Sequence, residues 1–353
     1  LAVLESPLHG SLVASVSGGC GWILRNATDG AECVRSCHHS GKGECICVTT
    51  TVGRSTRVIK RNAACPVMSH CGTIEAIAAS HCGTQLATGS VDKTIIVWHA
   101  HTGEARLQLV GHTRKVCSLG FSPDGEMLVS GSDDAVRVWD ARSGAAVRVL
   151  VMDDSSGRAV AWSPDGRRVA VAGKGGSVHI LAAGAWELER SLAGSAQVEA
   201  LAFSPDSMTL AAGGWSQSVH LWCVASGAER LVLRGHRGGA PEEPGGCKCP
   251  RGAREAGCLR PGHRSFVLAV CFSPDGGAVA SCCFRGECRV WHARTGALRR
   301  VLSGARAAAF ARGPPRCAER CLAFAMGQHA RLGAGSRTGA LPADVVQAVL
   351  ESD

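Results

Sequence analysis

Phe121-Ser122-Pro123-Asp124-Gly125 decides the fold, because the chain repeats it. It returns as Trp162-Ser163-Pro164-Asp165-Gly166, as Phe203-Ser204-Pro205-Asp206-Ser207 and as Phe272-Ser273-Pro274-Asp275-Gly276. The first three copies lie 41 residues apart and the last step is 69, so extra chain enters before the fourth. Repetition at such a period marks an array of like units and outranks local propensity in deciding architecture. Pro presets φ and Gly accepts a positive one, so each pentapeptide predicts a turn.

Each copy is followed, 18 or 19 residues after its aromatic, by Trp or a substitute: Trp139, Leu181, Trp222 and Trp291. Apolar stretches such as Met127-Leu128-Val129 and Val136–Trp139 lie between these marks and read as strands. Gly89–Asp92 and Arg142-Ser143-Gly144 supply further turns. Weaker copies emerge by register. Counting back from Trp98 reaches His70, and also Cys82 within Ser80-His81-Cys82-Gly83, a degraded version of the turn. Near the front, Glu5–Gly10 and Leu12–Ser15 sit mid-unit, with a Trp position near Leu24. Near the end, Cys321–Phe324 and Leu332–Ser336 begin another unit, whose Trp-Asp position falls at Ala343-Asp344. That makes seven units.

Four short strands in about 40–45 residues is the period of a propeller blade. With Gly111-His112, Val138-Trp139-Asp140 and Gly262-His263 at the family's marks, the sequence resembles the WD40 repeat family. The resemblance implies an all-β fold: a WD40-type β-propeller of seven blades whose terminal blades are degenerate or truncated. It implies one domain over 1–350, with clear repeats over about 70–301 and a degenerate last blade at 317–350. Two stretches break the period: an irregular segment at 40–66 and a loop insertion at 237–261, rich in Gly, Pro and charge. The chain opens without Met and inside a blade, which suggests a truncated sequence.

Composition agrees with a folded chain. Charged residues make up 19% and hydrophobic ones 45%, which argues against disorder. No apolar run reaches the roughly 18 residues that span a bilayer, and Leu1–Gly10 carries no signal-peptide pattern. The formal charge of +9 is spread along the chain, which favours acidic partners weakly and does not by itself imply nucleic acid. Nineteen cysteines without a secretory signal read as reduced thiols of an intracellular protein, in cytoplasm or nucleus.

His112, Ser130 and Asp133 could be mistaken for a Ser-His-Asp triad. The family resemblance instead implies a structural network of His70, Asp92, Trp98, His112, Ser130, Asp133, Trp139, Trp222, His263 and Trp291, which satisfies buried polar groups at each blade turn. The Asp position is kept at Asp92 and Asp133 and holds Gly175, Ser216 and Arg285 elsewhere, which is decay foreign to catalysis. Two groups invite a zinc reading: Cys33, Cys37, His38, His39, Cys45 and Cys47, and Cys247, Cys249, Cys258 and His263. Their spacings match no paired zinc module, and cysteines such as Cys117, Cys271, Cys288 and Cys321 fall in strands as small apolar side chains. Gly173–Gly176 reads as a hairpin turn and not a phosphate loop. No catalytic residue, metal or cofactor is expected.

The residue before each Asp position lies in the loop joining a blade's second and third strands, which by resemblance faces the usual docking rim. Blade by blade these are Val91, Lys174, Trp215, Phe284 and Arg337. Trp215 and Phe284 come from adjacent blades, and Arg114, Lys115, Arg264, Phe266 and Arg285 share the rim. Aromatics beside basic residues are what binding hot spots favour. The expected function is a non-catalytic scaffold or adaptor that presents rim loops to a peptide or protein, with basic residues steering an acidic segment. Alternatives are a substrate receptor of a ubiquitin ligase or another multiprotein complex, and a nucleic-acid-binding propeller. The last would need a continuous basic face, whereas these charges are scattered. An enzyme working in the central channel would need converging acids or histidines. The innermost strands, Val116–Leu119, Val198–Ala202 and Val267–Val270, are mainly apolar.

Overall fold

The computed structural model describes residues 69–100, 102–151, 157–194, 196–234, 266–284 and 288–301 with their side chains, and the strand backbone within 2–58 together with Leu302. Every regular element in it is a strand. Five four-stranded antiparallel sheets follow one another, and we call each blade by the residue at its Trp position.

The Trp98 blade runs Ile74–Ala79, Gln85–Ser90, Thr94–His99 and Ala105–Val110. The Trp139 blade runs Val116–Phe121, Met127–Ser132, Val136–Asp140 and Ala146–Leu150. The Leu181 blade follows with Ala159–Trp162, Arg168–Ala172, Val178–Ala182 and Leu188–Leu192. Next comes the Trp222 blade, of Val198–Phe203, Thr209–Gly214, Val219–Cys223 and Glu229–Leu233. The Trp291 blade is Val267–Phe272, Ala278–Cys283, Cys288–His292 and Leu298–Leu302.

The first strand of each blade packs beside the first strand of the next, the radial order of a propeller. Burial follows from that order. Second strands are covered on both faces by neighbouring blades, so Leu128–Ser132 is buried throughout, whereas the fourth strand, Ala146–Leu150, leaves its first four residues exposed. Close stacking needs small residues where a second strand meets the next blade. A Cβ added at Gly213 would lie 2.5 Å from Val267 Cγ1.

The repeated pentapeptide is a turn held by its serine. Ser122 Oγ accepts from Met127 N–H and donates to Asp124, whose Oδ1 accepts from Glu126 N–H, while Gly125 adopts φ +75°. Ser80-His81-Cys82-Gly83 makes the same turn, with Gln85 N–H donating to Ser80 Oγ and Gly83 N–H to Ser80 O. The cysteine sulfur stands in for the carboxylate, 3.4 Å from Ser80 Oγ.

At the front, Ala2–Ser6, Gly10–Ser17, Gly21–Asn26 and Glu32–Arg35 form successive antiparallel strands, and Ala2–Ser6 lies beside Ile74–Ala79 of the Trp98 blade. Leu24 falls in the third strand, and the register puts the Trp position one residue later, at Arg25, which pairs with Glu32 after the bulge as Trp98 pairs with Ala105. The irregular segment adds a hairpin, Thr49–Val52 and Ser55–Val58, to the outer edge and makes this sheet six-stranded. The insertion at 237–261 and the last expected blade lie outside the described residues.

Candidate functional site

Two constellations stand out: the polar ties inside the blades, and an aromatic cluster on one rim.

In the Trp139 blade Asp134 Oδ1 sits 2.8 Å from His112 Nδ1, and His112 Nε2 sits 2.7 Å from Ser130 Oγ. The Trp139 Nε1–H donates to the same hydroxyl oxygen at 2.8 Å. The carboxylate accepts a hydrogen bond from Nδ1–H, so Nε2 is left to accept from the Ser130 hydroxyl. Asp134 Oδ2 also accepts from Thr113 N–H at 2.7 Å. Burial alone would raise the Asp134 pKa, but the Thr113 amide and His112 outweigh it and hold the carboxyl well below the usual range. Burial lowers the His112 pKa against the pull of Asp134, which keeps the ring neutral. A fully buried hydroxyl committed to a buried indole and to the ring behind it is a fastener.

The carboxylate in this tie is Asp134, not Asp133. Counting back from Trp139 picks Asp133, but Ser130 lies nine residues before Trp139 where Thr88 lies ten before Trp98, so the count overshoots by one. Asp133 stands instead on the rim, 3.5 Å from Lys174 Nζ of the next blade. In the Trp98 blade the tie runs Asp92, His70, Thr88, Trp98, with His70 Nε2 and Trp98 Nε1 at 2.8 and 2.7 Å from Thr88 Oγ1. The Trp291 indole donates to Ser281 Oγ at 2.8 Å, and His263 lies outside the described residues.

Trp222 departs from the pattern. Ala212 occupies the hydroxyl position and Gly194 the histidine position, and His220 stacks on the indole at 5.5 Å. A cavity of about 10 Å³ remains beside it, lined by Gly194, Ala212 and Trp222. In the Leu181 blade Leu181 and Val171 replace the Trp and the hydroxyl, so that tie is also missing.

The rim cluster is built from two blades. Trp215 in the Trp222 blade is 51% exposed and Phe284 in the Trp291 blade 64% exposed, and Phe266 lies between them. Phe266 stacks on Trp215 with centroids 4.7 Å apart and planes 21° apart, and meets Phe284 at 6.2 Å. Backbone bonds set the spacing: Phe284 N–H donates to Phe266 O, and Trp215 N–H donates to Gln197 O. Val91 N–H makes the equivalent bond to Thr73 O in the Trp98 blade.

Among the described residues an acid, Glu199, lies against the cluster, itself paired with a base. Trp215 Nε1–H donates to Glu199 Oε1 at 2.9 Å, and Glu199 Oε2 lies 3.5 Å from Arg158. Lys115 is paired with Glu75 at 3.1 Å and Lys174 with Asp133, while Arg114 is exposed. Among the described residues the two rim lysines are thus already paired with acids. Arg264, Arg285 and Arg337 lie outside the described residues. So do the side chains of both cysteine-histidine groups, and among the described residues no cluster has the ligands of a metal site. No helix among them is long and apolar enough to cross a membrane.

Radial four-stranded blades, fastened by Asp–His–hydroxyl–Trp ties, define a WD40-type β-propeller. More narrowly, the chain belongs to the IFT122 first beta-propeller family, whose profile matches residues 33–238, more than half of its length. The profile of the WD domain, G-beta repeat, matches residues 256–292. Among curated proteins it is 43% identical to "Protein ROOT INITIATION DEFECTIVE 3" of Arabidopsis thaliana over 17% of this chain and 14% of that one. It is 46% identical to "Nuclear distribution protein PAC1-2" of Uncinocarpus reesii, over 17% of this chain and 13% of that protein. A stretch covering 13% of the chain and 5% of mouse Coronin-7 is 44% identical. The chain thus spans under a fifth of the length of these relatives. Propellers of this family generally hold other proteins and are typically non-catalytic.

Proposed function

We propose that this chain is an intracellular docking propeller, of cytoplasm or nucleus, that holds a peptide or protein partner against the Trp215–Phe266–Phe284 cluster. One observation carries the reading. The tryptophans at the blade Trp positions are buried, whereas these three rings form a continuous aromatic surface across a blade boundary with two members largely exposed. Rigid aromatics held in advance by the backbone lose little entropy on binding and supply hot-spot contacts. Acids already pair with Lys115 and Lys174, so apolar fit contributes more here than attraction of an acidic segment. The reading takes the propeller over 1–350, with 237–261 as an inserted loop and 317–350 as the last blade. The family description, a first propeller, favours a place within a larger assembly.

The test is affinity capture from lysate, comparing the chain with a Trp215→Ala/Phe284→Ala version whose fold is verified by circular dichroism and melting. Loss of a defined partner set from the folded variant supports the rim. Retention of the same partners overturns it.

A further inference from the structure

The opposite rim carries a pair of tryptophans in contact. In four blades the turn between third and fourth strands places a glycine at positive φ: Gly103, Gly144, Gly227 and Gly296. Each donates its N–H to the carbonyl four residues earlier. The Leu181 blade makes the same turn and the same bond, Trp186 N–H to Ala182 O, but with tryptophan at φ +58°. A bulky residue in the left-handed region is an outlier, and such outliers cluster at binding sites. Trp186 packs one side against the core with Trp162 and Met127 but stays half-buried, so part of its ring is left accessible.

The Trp186 ring meets Trp162 at 5.8 Å with planes 84° apart, so the two indoles form a corner. Trp162 replaces the Phe that opens the other three Ser-Pro-Asp turns, and its Nε1–H is anchored on Gly120 O. The corner opens on a groove of about 540 Å³ between the Trp139 and Leu181 blades, with Met127 and Val147 on its floor and side. Asp124 and Asp165 edge this groove. Both are exposed, and their hydrogen bonds run through Oδ1 to Ser122 and Glu126, and to Ser163 and Arg167. Among the described residues their Oδ2 atoms have no partner. Arg168 and, less strongly, Arg167 offset part of the charge at Asp165, whereas hydrogen bonds from Ser122 and Glu126 are what hold the Asp124 carboxyl low.

We propose that this groove binds the alkylammonium group of a lysine side chain, plain or methylated, on a partner peptide. Indole faces attract a cation through their quadrupoles, apolar walls accept the aliphatic stem, and two carboxylates at the edge neutralise the head. A neutral apolar side chain would fit the walls but leave both carboxylates unused.

The probe is N-acetyl-trimethyllysine amide, compared with its neutral tert-butyl isostere, titrated into the full chain labelled at the indole nitrogens. The indole signals of Trp162 and Trp186 shift with the ammonium probe, and Asp124→Asn/Asp165→Asn weakens binding about fivefold or more while keeping the Oδ1 turn bonds. Trp186→Gly restores the residue of the other blades and abolishes the shift of Trp162 with the circular dichroism spectrum unchanged. If the isostere binds as tightly, or if both indole signals stay still with the ammonium probe, the inference is wrong. The asparagine pair keeps the test decisive should the glycine variant fold poorly.

Discussion

Trp215 and Phe266 stack 4.7 Å apart although they belong to different blades, and the contact bridges a boundary that no strand-to-strand hydrogen bond crosses. A near-parallel pair is worth about 0.5–1.5 kcal/mol beyond its buried area. A double-mutant cycle of Trp215→Ala and Phe266→Ala, followed by thermal unfolding, is expected to give a coupling in that range. Additive losses would mean the rings merely coincide on the surface.

Ser130 joins two partners that have no other route to water. Ser130→Ala leaves His112 Nε2 and the Trp139 indole unsatisfied in a buried place, at roughly 1–3 kcal/mol each. Denaturant unfolding should show a loss of about 2–4 kcal/mol, given incomplete additivity. A loss below about 1 kcal/mol would contradict the fastener reading.

The converse substitution belongs to the Trp222 blade. Ala212→Ser supplies the hydroxyl that Thr88, Ser130 and Ser281 give their tryptophans, and the small cavity there leaves it room. We expect a stabilisation of up to about 1 kcal/mol, read as a higher melting temperature.

Asp133 and Asp134 separate cleanly. Asp134→Ala removes charge-assisted bonds from His112 and Thr113 and should cost about 2–4 kcal/mol, whereas Asp133→Ala breaks a half-exposed pair with Lys174 and should cost under about 1 kcal/mol. Unfolding of the two variants side by side checks the assignment.

Stability should fall in acid in two stages. His112 has a folded pKa below its unfolded value of about 6.5, so the unfolded chain binds the extra proton, and stabilisation present above that pH is lost as it drops. The Asp92 and Asp134 carboxyls, held low by their histidine and amide partners against the opposing effect of burial, add a second loss below about pH 4. Melting temperatures measured from pH 8 to pH 3 should be level at the top and decline through both windows. A level profile down to pH 5 would show that His112 is not held neutral.

The blades were legible because turns and tryptophans recur at fixed spacing, and the same spacing misled at Asp133. Counting from tryptophan assumes equal loops. Counting 22 residues forward from each histidine reaches Asp92 from His70 and Asp134 from His112, and would have found the right carboxylate. Trp215 and Phe284 could be placed on neighbouring blades, but the sequence holds no distance across a boundary, so Phe266 as the ring between them, and Glu199 beneath Trp215, waited for the structure. Trp186 had a signal that went unread. Aligning Thr102-Gly103, Ser143-Gly144, Ser226-Gly227 and Thr295-Gly296 leaves Ala185-Trp186 as the exception.

The fasteners missing from the Leu181 and Trp222 blades fall next to one another, and both aromatic sites border this pair. Amide protons in those two sheets should exchange with solvent sooner than those of the Trp98 and Trp139 blades, through local openings that spare the other described blades. Whatever occupies either site would clamp an edge of that soft sector and slow its exchange, so occupancy at one rim would be felt at the other as a change in rigidity rather than in shape.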